Sequence, residues 1–482
     1  MTLKLLFAMF VLVIISTGLY HAFKPLPPGV GYRGSEAPLA NAKLLTDTTT
    51  HNADGSTRLD HEIFDEVFRL IGQANRFVLV DMFLFNDSKP EGVTHRPLAR
   101  QLTEALVKRK LAEPDIQIIV ISDPINTFYG GAPSPWFSRL REAGIQVVET
   151  DLTRLRDSNP AWSAWWRVCC QWMGNSANSG WLPNALGGNP ATIRSYLALP
   201  NFKANHRKLI VVDEGDHLRG LITSANPHDG SSRHSNIGLS FTGPAVTSLL
   251  ESEKAILALS GAETGIVERM IDNSSRSENF AASPTADTLQ VVTESAILSS
   301  ALDIIESAIS GDQIDMAVFY LSHRRIINAL AEARQRGVQI RVLLDANNDA
   351  FGHAKNGIPN RPVAAELVRS DIPVRWCHTR GEQCHSKLLI KRNGANAVDV
   401  LLGSANFTRR NLNDLNLETS VHLRSKASSP VVKKAVRFFE TCWYQGPDSN
   451  AVMSLPYETW ADESTFKYWR YRLMEASGLS TF

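Results

Sequence analysis

The chain of 482 residues has room for two or more domains, since one domain commonly takes about 100–200 residues. Hydrophobic residues make up 43% and charged residues 21%, which is ordinary for a globular protein and excludes disorder, collagen and a multi-span membrane protein. Fifty Lys and Arg stand against 49 Asp and Glu, a formal net charge of +1, so anion binding has to be local. The five cysteines, an odd number, cannot all pair within one molecule.

The first residues have the character of a membrane segment. An apolar stretch runs from Leu5 to Phe23, and a Pro-rich segment follows it. The whole stretch is long enough to span a bilayer, whereas its strictly apolar part, Leu5–Ile15, has the length of a signal-peptide core. We expect residues 1–28 to be a membrane anchor with a Pro-rich stalk, or a signal peptide, and the protein to be membrane-associated. The catalytic part is expected outside the cytoplasm, although basic residues on both sides leave the orientation unsettled.

Helices and strands are predicted to alternate in the same order in both halves of the chain. The first half is predicted to contain helix His61–Asn75, strand Arg76–Phe85, helix Pro97–Leu111, strand Gln117–Asp123, helix Trp136–Ala143 and strand Ile145–Glu149. The second is predicted to contain helix Glu294–Ser310, strand Asp315–Leu321, helix Arg324–Arg336, strand Val338–Asp345, helix Pro362–Ser370 and strand Pro373–Trp376. This order predicts α/β architecture with largely parallel sheets. Its duplication predicts two similar α/β sandwich domains related by a pseudo-two-fold axis, with the active site between them.

Each half then continues into a matching polar hairpin. The first copy contains Asn205-His206-Arg207-Lys208 and, after a turn, Thr223-Ser224-Ala225-Asn226. The second contains Cys384-His385-Ser386-Lys387 and then Gly403-Ser404-Ala405-Asn406. The spacing from Lys to Asn is 18 positions in the first copy and 19 in the second. Because chance rarely produces such agreement, we expect these residues to form one site.

The two halves differ in length before the hairpin. The stretch between the preceding strand and the motif histidine is longer in the first half by about 43 residues, which places an insertion at 156–196. Five of the ten tryptophans lie in this insertion. A membrane-facing or substrate-channel surface and a private aromatic core explain them equally well. We therefore predict a first domain at 29–271, a linker at 272–287 and a second domain at 288–482.

The matched residues suit phosphodiester chemistry. In a strand, residues i and i+2 face the same way, so each His and its Lys project from one face of the hairpin. Two lysines can hold a phosphate together with the following hydroxyls and amides, namely Ser224, Asn226, Ser404 and Asn406. One histidine can attack phosphorus to form a phosphohistidine, while the other protonates the leaving alcohol and then deprotonates the incoming water or alcohol. These steps need no metal ion and no cofactor.

This pattern resembles the phospholipase D superfamily, whose signature His-x-Lys-x4-Asp occurs twice. His206, Lys208 and Asp213 match the motif in full, and His385 with Lys387 match its second copy. The resemblance implies that His206 is the nucleophile and His385 the acid, and the reverse assignment stays open. Asp213 lies an odd number of positions from His206, which favours a structural role in the turn over a catalytic one.

Two positions depart from the family pattern. Arg392 stands where the second motif has its Asp. A downstream Asn-x-Glu ends at Glu418 in the second copy, but the matching position in the first copy is Gly238. By resemblance, Glu418 is expected to orient His385, while His206 has to find another acceptor or go without one.

The favoured function is a membrane-associated phosphodiesterase that acts on phospholipids. It would hydrolyse them or transfer the phosphatidyl group to an alcohol, as the resemblance to cardiolipin-synthase-like members implies. We expect a phospholipid and a membrane surface as partners, an alcohol as alternative acceptor to water, and activity as a monomer. An endonuclease of the same superfamily is the main alternative, and the near-zero net charge counts against it. A catalytically weak binding module is the second alternative.

The cysteines and the C-terminal aromatic residues have open assignments. Cys377 and Cys384 are candidates for a disulfide in an oxidising compartment or, with the neighbouring histidines, for a zinc site of uncommon spacing. Cys169 and Cys170 are expected to reflect apolar packing. A C-terminal aromatic cluster is expected to belong to a helix packed on the second domain, and it comprises Tyr457, Trp460, Phe466, Tyr468, Trp469 and Tyr471.

Overall fold

The computed structural model describes residues 2–52, 54–184, 188–277, 287–350, 353–394, 397–444, 451–480 and 482, so most of the predicted linker lies outside the described residues. Its helices are α1 (Thr2–Phe23), α2 (Ile63–Gln73), α3 (Leu98–Ala112), α4 (Pro135–Glu142), α5 (Pro160–Cys169), α6 (Ile193–Ala198), α7 (Pro244–Leu259), α8 (Gly265–Ser277), α9 (Ser295–Glu306), α10 (Arg324–Gln335), α11 (Asn360–Arg369), α12 (Arg409–Leu412), α13 (Pro430–Trp443) and α14 (Thr465–Ser477). Its strands are β1 (Ala37–Pro38), β2 (Ala40–Asn52), β3 (Thr57–His61), β4 (Phe77–Met82), β5 (Gln117–Ser122), β6 (Gln146–Glu149), β7 (Lys208–Glu214), β8 (His217–Thr223), β9 (Asn236–Thr242), β10 (Thr288–Thr293), β11 (Gln313–Val318), β12 (Gln339–Leu344), β13 (Asp349–Ala350), β14 (His353–Ala354), β15 (Val374–Cys377), β16 (Lys387–Asn393), β17 (Ala397–Gly403), β18 (Thr419–Lys426), β19 (Ala451–Val452) and β20 (Ser454–Pro456).

Each half builds one large mixed sheet, which confirms the predicted α/β class and the duplication. The strand order is β19-β2-β9-β8-β7-β4-β5-β6 in the first sheet and β1-β10-β18-β17-β16-β11-β12-β15-β20 in the second. Among the strands of the described residues, parallel pairing is confined to β4-β5-β6 and β11-β12-β15. The prediction of largely parallel sheets is therefore wrong. The motif hairpins β7–β8 and β16–β17 reverse the chain through short turns, and such neighbours pair antiparallel.

The residues of β4 and β7 explain why both sheet faces are covered. All of β4 is buried, as expected for a continuous apolar run in a sheet with layers on both sides. Along β7, Leu209 and Val211 enter a core shared by the two sheets, whereas Ile210 and Val212 pack towards α2 and α3. The two halves therefore meet through one face of each sheet, where α7 and α13 also pack, while α2 and α3 cover the opposite face of the first sheet.

Short strands are exchanged between the halves. β1 comes from the N-terminal part of the chain but pairs with β10 of the second sheet, with Ala37 opposite Leu289. β19 comes from the C-terminal part and pairs with β2 of the first sheet, with Val452 opposite His51. These pairings join the edges of the two sheets in addition to the shared apolar core.

Helix α1 packs its C-terminal part against α5 of the Trp-rich insertion. A Cβ atom on Gly18 would lie 3.2 Å from the Cβ of Ala164, so the small residue allows the two helices to approach closely. The backbone N–H of Asp157 donates to the carbonyl of His21 over 2.9 Å. With 22 residues and a mean hydropathy of 2.2, α1 has the length and apolarity of a membrane span, properties that a signal sequence shares.

The insertion contains a buried tryptophan and tryptophans that are exposed on its surface, which are the two alternatives that the sequence left open. Trp166 is buried, and the Trp162 indole donates to the carbonyl of Leu197. Trp172 and Trp181, in contrast, are 72% and 68% exposed.

The C-terminal aromatic cluster also contains both buried and exposed members. Most of its members pack on the second core as predicted, and the exceptions are Phe466 and Trp469, which are exposed on α14.

Two disulfides are present among the described residues. Cys377 is bonded to Cys384, which agrees with one of the two expected alternatives. Since these sulfurs bond to each other, the zinc alternative is wrong, and no group of three or more His, Cys, Asp or Glu side chains in the described ranges is arranged to hold a metal ion. The Cys169–Cys170 bond was not predicted, and it forms where the chain leaves the helical conformation at Cys170. Cys442 is free and buried.

Candidate active site

The two His-x-Lys segments meet at the interface between the halves. The backbone N–H of His206 donates to the carbonyl of Leu417 over 2.9 Å, and that of His385 donates to the carbonyl of Ser235 over 2.8 Å. Leu417 lies just before β18 of the second sheet, and Ser235 just before β9 of the first. Each motif is therefore held by the half to which it does not belong, which confirms the pseudo-two-fold arrangement around the site.

The motif lysines are buried in equivalent places. The Nζ atoms of Lys208 and Lys387 donate to the carbonyl of the histidine two residues earlier, over 2.6 and 2.7 Å. Burial lowers the pKa of Lys208 to about 7. Burial and the neighbouring Lys208 lower the pKa of Lys387 well below its ordinary value. A bound phosphate would favour the charged form of both ammonium groups, so the site is arranged for an anion.

His206 has a carboxylate partner. Its Nδ1 lies 2.9 Å from Oε1 of Glu418. The Glu418 carboxylate also accepts hydrogen bonds from Ser404 Oγ, at Oε2, and from Asn411 Nδ2, at Oε1. Burial on its own would raise the pKa of Glu418, but His206 and Lys208 outweigh burial and lower it. Glu418 is therefore ionised, and it fixes the His206 ring with Nε2 available to a substrate.

His385 has an amide partner instead. Its Nδ1 lies 3.2 Å from Oδ1 of Asn236, which accepts a hydrogen bond from Ser224 Oγ over 3.0 Å. The expectation that Glu418 orients His385 is wrong, because the segment before β18 lies against the first motif rather than its own. Both imidazoles are thus held from the opposite half, one by a charged group and one by a neutral group.

The serines and asparagines that follow the hairpins separate into two roles. The hydroxyls of Ser224 and Ser404 donate to the partners of the two histidines, which differs from the expected phosphate contact. Asn226 Oδ1 accepts from the backbone N–H of Leu84 over 3.3 Å. Asn406 Oδ1 is buried and has no hydrogen-bond partner in the part of the chain that the structure describes. The asparagines therefore remain candidates for contact with the phosphate, together with the lysines.

The fourth motif position is structural in both copies. Asp213 Oδ1 accepts from the backbone N–H groups of Arg76 and Phe77 over 2.9 and 2.8 Å, at the end of β7 far from the histidine. This confirms the structural role that its odd offset favoured. Arg392 pairs with Asp315 over 2.6 Å at the matching end of β16. The replacement of Asp by Arg is thus compensated locally and does not reach the active site.

Two phenylalanines were missed by the sequence analysis. The ring centroid of Phe83 lies 4.8 Å from that of His206, and that of Phe319 lies 5.2 Å from that of His385. Each ring also lies within 5.4 Å of the Nζ atom of its own motif lysine. Both follow directly after matching strands, β4 and β11, so comparing the two copies position by position would have found them.

Two aspartates after the next matching strands were also missed. Asp123 Oδ2 accepts from the backbone N–H of Asn205 over 2.7 Å, and Asp345 Oδ2 accepts from that of Cys384 over 3.0 Å. Each aspartate therefore holds the residue that precedes a motif histidine. Burial raises the pKa of Asp123 to about 7. These carboxylates position the histidines through the backbone.

A buried ion network supports the first motif alone. Arg207 lies 2.7 Å from Glu253 and 2.8 Å from Glu294, and all three side chains are buried. Glu294 Oε1 also accepts from the backbone N–H of Glu418 over 3.0 Å. The second motif has Ser386 at the position of Arg207. The network links the His206 segment to the element that supplies its carboxylate.

The imidazoles have depressed pKa values in the substrate-free protein. Burial lowers the pKa of His206 to about 4, although Glu418 opposes the shift. Burial, Lys387 and His234 lower the pKa of His385 well below its ordinary value. A negatively charged group between the lysines would oppose these shifts and favour the protonated imidazoles.

Comparison with known proteins gives one family match. Residues 302–443 match the family model described as cardiolipin synthase, PLD-like domain. The second half of the chain therefore contains a region that matches a domain of the phospholipase D superfamily. Members of this superfamily are phosphodiesterases and transferases. No curated protein matches the sequence.

Three solved structures illustrate what the chain is similar to. The phosphatidylserine synthase of Haemophilus influenzae Rd KW20 matches 92% of this chain and 96% of its own, with a TM-score of 0.56 and 10% identity, which shows a shared fold. The polyphosphate kinase of Porphyromonas gingivalis matches 91% of this chain and 53% of its own, with a TM-score of 0.42 and 12% identity. Nuc of Salmonella typhimurium, a phospholipase D family member, matches 32% of this chain and 90% of its own, with a TM-score of 0.25 and 24% identity.

Proposed function

We propose that this protein is a metal-independent phosphodiesterase or phosphatidyltransferase of the phospholipase D superfamily that acts on phospholipids through a phosphohistidine intermediate. The carrying observation is the pair of buried His-x-Lys motifs at one interface, with a carboxylate on one histidine and an amide on the other. This asymmetry supports an assignment of roles. A carboxylate makes an imidazole more basic, whereas an imidazole held by a neutral amide gives up its proton more readily.

The first step cleaves the diester. His206 Nε2 attacks phosphorus, the bond from phosphorus to the leaving oxygen breaks, and His385 donates a proton to that oxygen. Glu418 accepts the hydrogen bond from Nδ1–H of His206 and stabilises the positive charge that develops on this ring. Lys208 and Lys387 neutralise the charge on the non-bridging oxygens in the transition state.

The second step releases the product. A water or alcohol oxygen attacks phosphorus, His385 removes its proton, and the phosphorus–nitrogen bond to His206 breaks. Hydrolysis and transfer thus differ only in which hydroxyl group attacks. All protons and charges in both steps are handled by side chains of the two motifs and their partners.

Several features support a phospholipid as the substrate. The apolar helix α1 has the properties of a membrane span, and exposed tryptophans lie in the insertion against which it packs. The family model that matches the second half is described as cardiolipin synthase. The net charge of +1 offers no general attraction for nucleic acid.

Turnover by the full-length protein tests the substrate class. We expect headgroup release or exchange from vesicles of phosphatidylglycerol and phosphatidylcholine, with glycerol as an added acceptor, and unchanged rates after chelation of metal ions. His206→Ala and His385→Ala should each lower the rate about 10²–10⁴-fold. Glu418→Gln should lower it about 10–100-fold. His217→Ala, at the exposed first residue of β8, is the control and should have no effect on the rate.

Other outcomes would contradict the proposal at separate points. Cleavage of single-stranded or duplex DNA without lipid turnover would favour the nuclease alternative. Full activity of both histidine variants would favour a binding module. Acid quenching during turnover should trap label on His206, and absence of label on either motif histidine would refute the covalent intermediate.

A further inference from the structure

A cavity separate from the two motifs lies beneath the Trp-rich insertion. It measures about 300 Å³ and lies between the insertion and the C-terminal ends of β5 and β6. Its lining includes Thr150, Trp166, Arg167, Arg194 and Lys203, and none of the motif histidines or lysines. Thr150 Oγ1 accepts a hydrogen bond from the Asn205 side chain over 3.0 Å. The cavity wall therefore contacts the residue that directly precedes His206.

Two cations share one carboxylate on one side of this cavity, and a carboxylate of the lining, Asp151, pairs with Arg154 over 3.4 Å. Asp157 pairs with Arg167 over 2.8 Å and with Lys203 over 2.6 Å, so one negative charge serves two positive charges. Burial lowers the pKa of Lys203 to about 8, although Asp157 opposes the shift. A further anion in the cavity would compensate the remaining positive charge and stabilise this group.

Arg194 contributes a second uncompensated charge. Its guanidinium donates to the carbonyl oxygens of Cys170 and Gln171 and lies 4.6 Å above the Trp166 ring. No carboxylate contacts it within the described ranges, and burial lowers the pKa of this group. Two carbonyl contacts leave guanidinium N–H groups free to hold a phosphate, and the neutral partners leave the charge available.

The cavity lies beside the end of the apolar helix α1. Lys24 follows this helix, and its Nζ atom donates to the carbonyl of Thr153, another lining residue, over 3.3 Å. Trp172 and Met173 follow the lining residue Gln171 and are 72% and 62% exposed. A helix end, basic side chains and exposed aromatic or apolar side chains occur together where a bilayer meets water.

We propose that this cavity binds the phosphate headgroup of a second, anionic phospholipid, with Arg194 as its principal ligand. Trp172 and Met173 would contact the acyl chains of that lipid at the membrane surface. The site is distinct from the substrate phosphate site between the motif lysines. That its occupant is a lipid rests on the proposed function, since the same cations would also attract a soluble phosphate ester.

Counting bound lipids tests the site independently of turnover. Full-length protein carrying His385→Ala, purified in detergent, is titrated with phosphatidylglycerol, phosphatidylcholine or glycerol 3-phosphate. Native mass spectrometry then measures the number of ligands bound to each protein molecule. We expect one phosphatidylglycerol at the motifs and a second in the cavity. Arg194→Gln should weaken binding of the second lipid by about tenfold or more, since a charge-assisted contact is lost. Arg194→Lys should retain most of it.

Matched variants separate this inference from the proposed function. Arg139→Gln, on the exposed face of α4, makes the same charge change and should leave both lipids bound. Lys387→Gln should remove the lipid at the motifs and leave the one in the cavity. If Lys387→Gln removes a lipid but Arg194→Gln removes none, the cavity site is refuted and the proposed substrate site stands. If only Arg194→Gln has an effect, the cavity site stands and the proposed substrate site fails.

The soluble probe decides the nature of the occupant. Binding of glycerol 3-phosphate as tight as that of phosphatidylglycerol would refute a lipid site and indicate a site for soluble phosphate esters. An equal loss of the second lipid in Arg139→Gln and Arg194→Gln would show that net charge alone is responsible, which also overturns the proposal. Circular dichroism of Arg194→Gln checks that the variant is folded.

Discussion

The two active-site histidines differ chiefly in the group that holds Nδ1. His206 faces the carboxylate of Glu418, and His385 faces the amide oxygen of Asn236. Serines in matching positions hold both partners, so Asn236, and not the expected Gly238, takes the place of Glu418 in the first copy. The chemical asymmetry of the site therefore arises from one side chain.

This asymmetry predicts an acidic optimum for catalysis. His385 has to be protonated to act as an acid, and its pKa in the free protein lies well below the ordinary value because of burial and Lys387. As the pH rises through this lowered pKa, below the ordinary histidine range, the acid is lost and kcat/KM should fall. Asn236→Asp adds a carboxylate next to His385, raises its pKa, and should move this falling limb to higher pH.

The pH profile of kcat/KM with a fixed phosphodiester measures this shift. Glu418→Gln is the comparison variant, because it removes support from the other histidine and should lower the rate without moving the falling limb upwards. A limb that stays in place in a folded Asn236→Asp protein would contradict the assignment of His385 as the acid.

At the scale of secondary-structure elements, the segments before β9 and β18 determine which residues contact the motif histidines. Each crosses to the opposite half and pairs with the residue next to a motif histidine. The Arg207 network holds one of these crossings, because Glu294 contacts both Arg207 and the backbone of Glu418. Substitutions that break this network should therefore change both the free energy of unfolding and the position of the His206 ring.

Arg207→Met is predicted to lower the free energy of unfolding by about 3–5 kcal/mol, because it leaves two buried carboxylates without their cation. Arg58→Met is a matched control. Arg58 and its partner Asp60 are mostly exposed, so the same substitution there should cost less than about 1 kcal/mol. Denaturant unfolding of both variants provides the measurement. Equal stability of the two would show that the buried network contributes no more than a surface pair.

At the scale of the whole molecule, three features bear on the compartment in which the protein works, namely α1, the insertion and the disulfides. α1 packs on the same insertion that exposes Trp172 and Trp181. Disulfides persist in oxidising compartments, and the Cys377–Cys384 bond therefore supports the expectation of an extracytoplasmic catalytic part.

Alkylation of the intact protein tests the cysteine assignment. Denatured but unreduced protein should take up one alkyl group, at Cys442, and reduced protein should take up five. In the native protein the Cys442 reaction should be slow, because the thiol is buried and burial raises its pKa to about 12. Cys442→Ser should abolish labelling without reduction. Uptake of three or five groups before reduction would show that one or both disulfides are absent.

The repeated α/β order and the motif residues were predictable from the sequence. Local apolar runs place strands such as β4 and β11 within a few residues of their observed ends, because burial on both faces needs continuous apolar sequence. The duplication identified both His-x-Lys pairs without any knowledge of packing. The direction of strand pairing was less predictable, since it depends on how each connection turns.

The partners of the histidines were decided by tertiary structure alone. Glu418 reaches His206 across 212 positions, and Asn236 reaches His385 across 149. The sequence by itself determined which residues carry the chemistry, because hydrogen-bonding groups and their spacing are local properties. Which half supplies each partner depends on how two sheets pack face to face, and that packing results from many apolar contacts between residues distant in sequence.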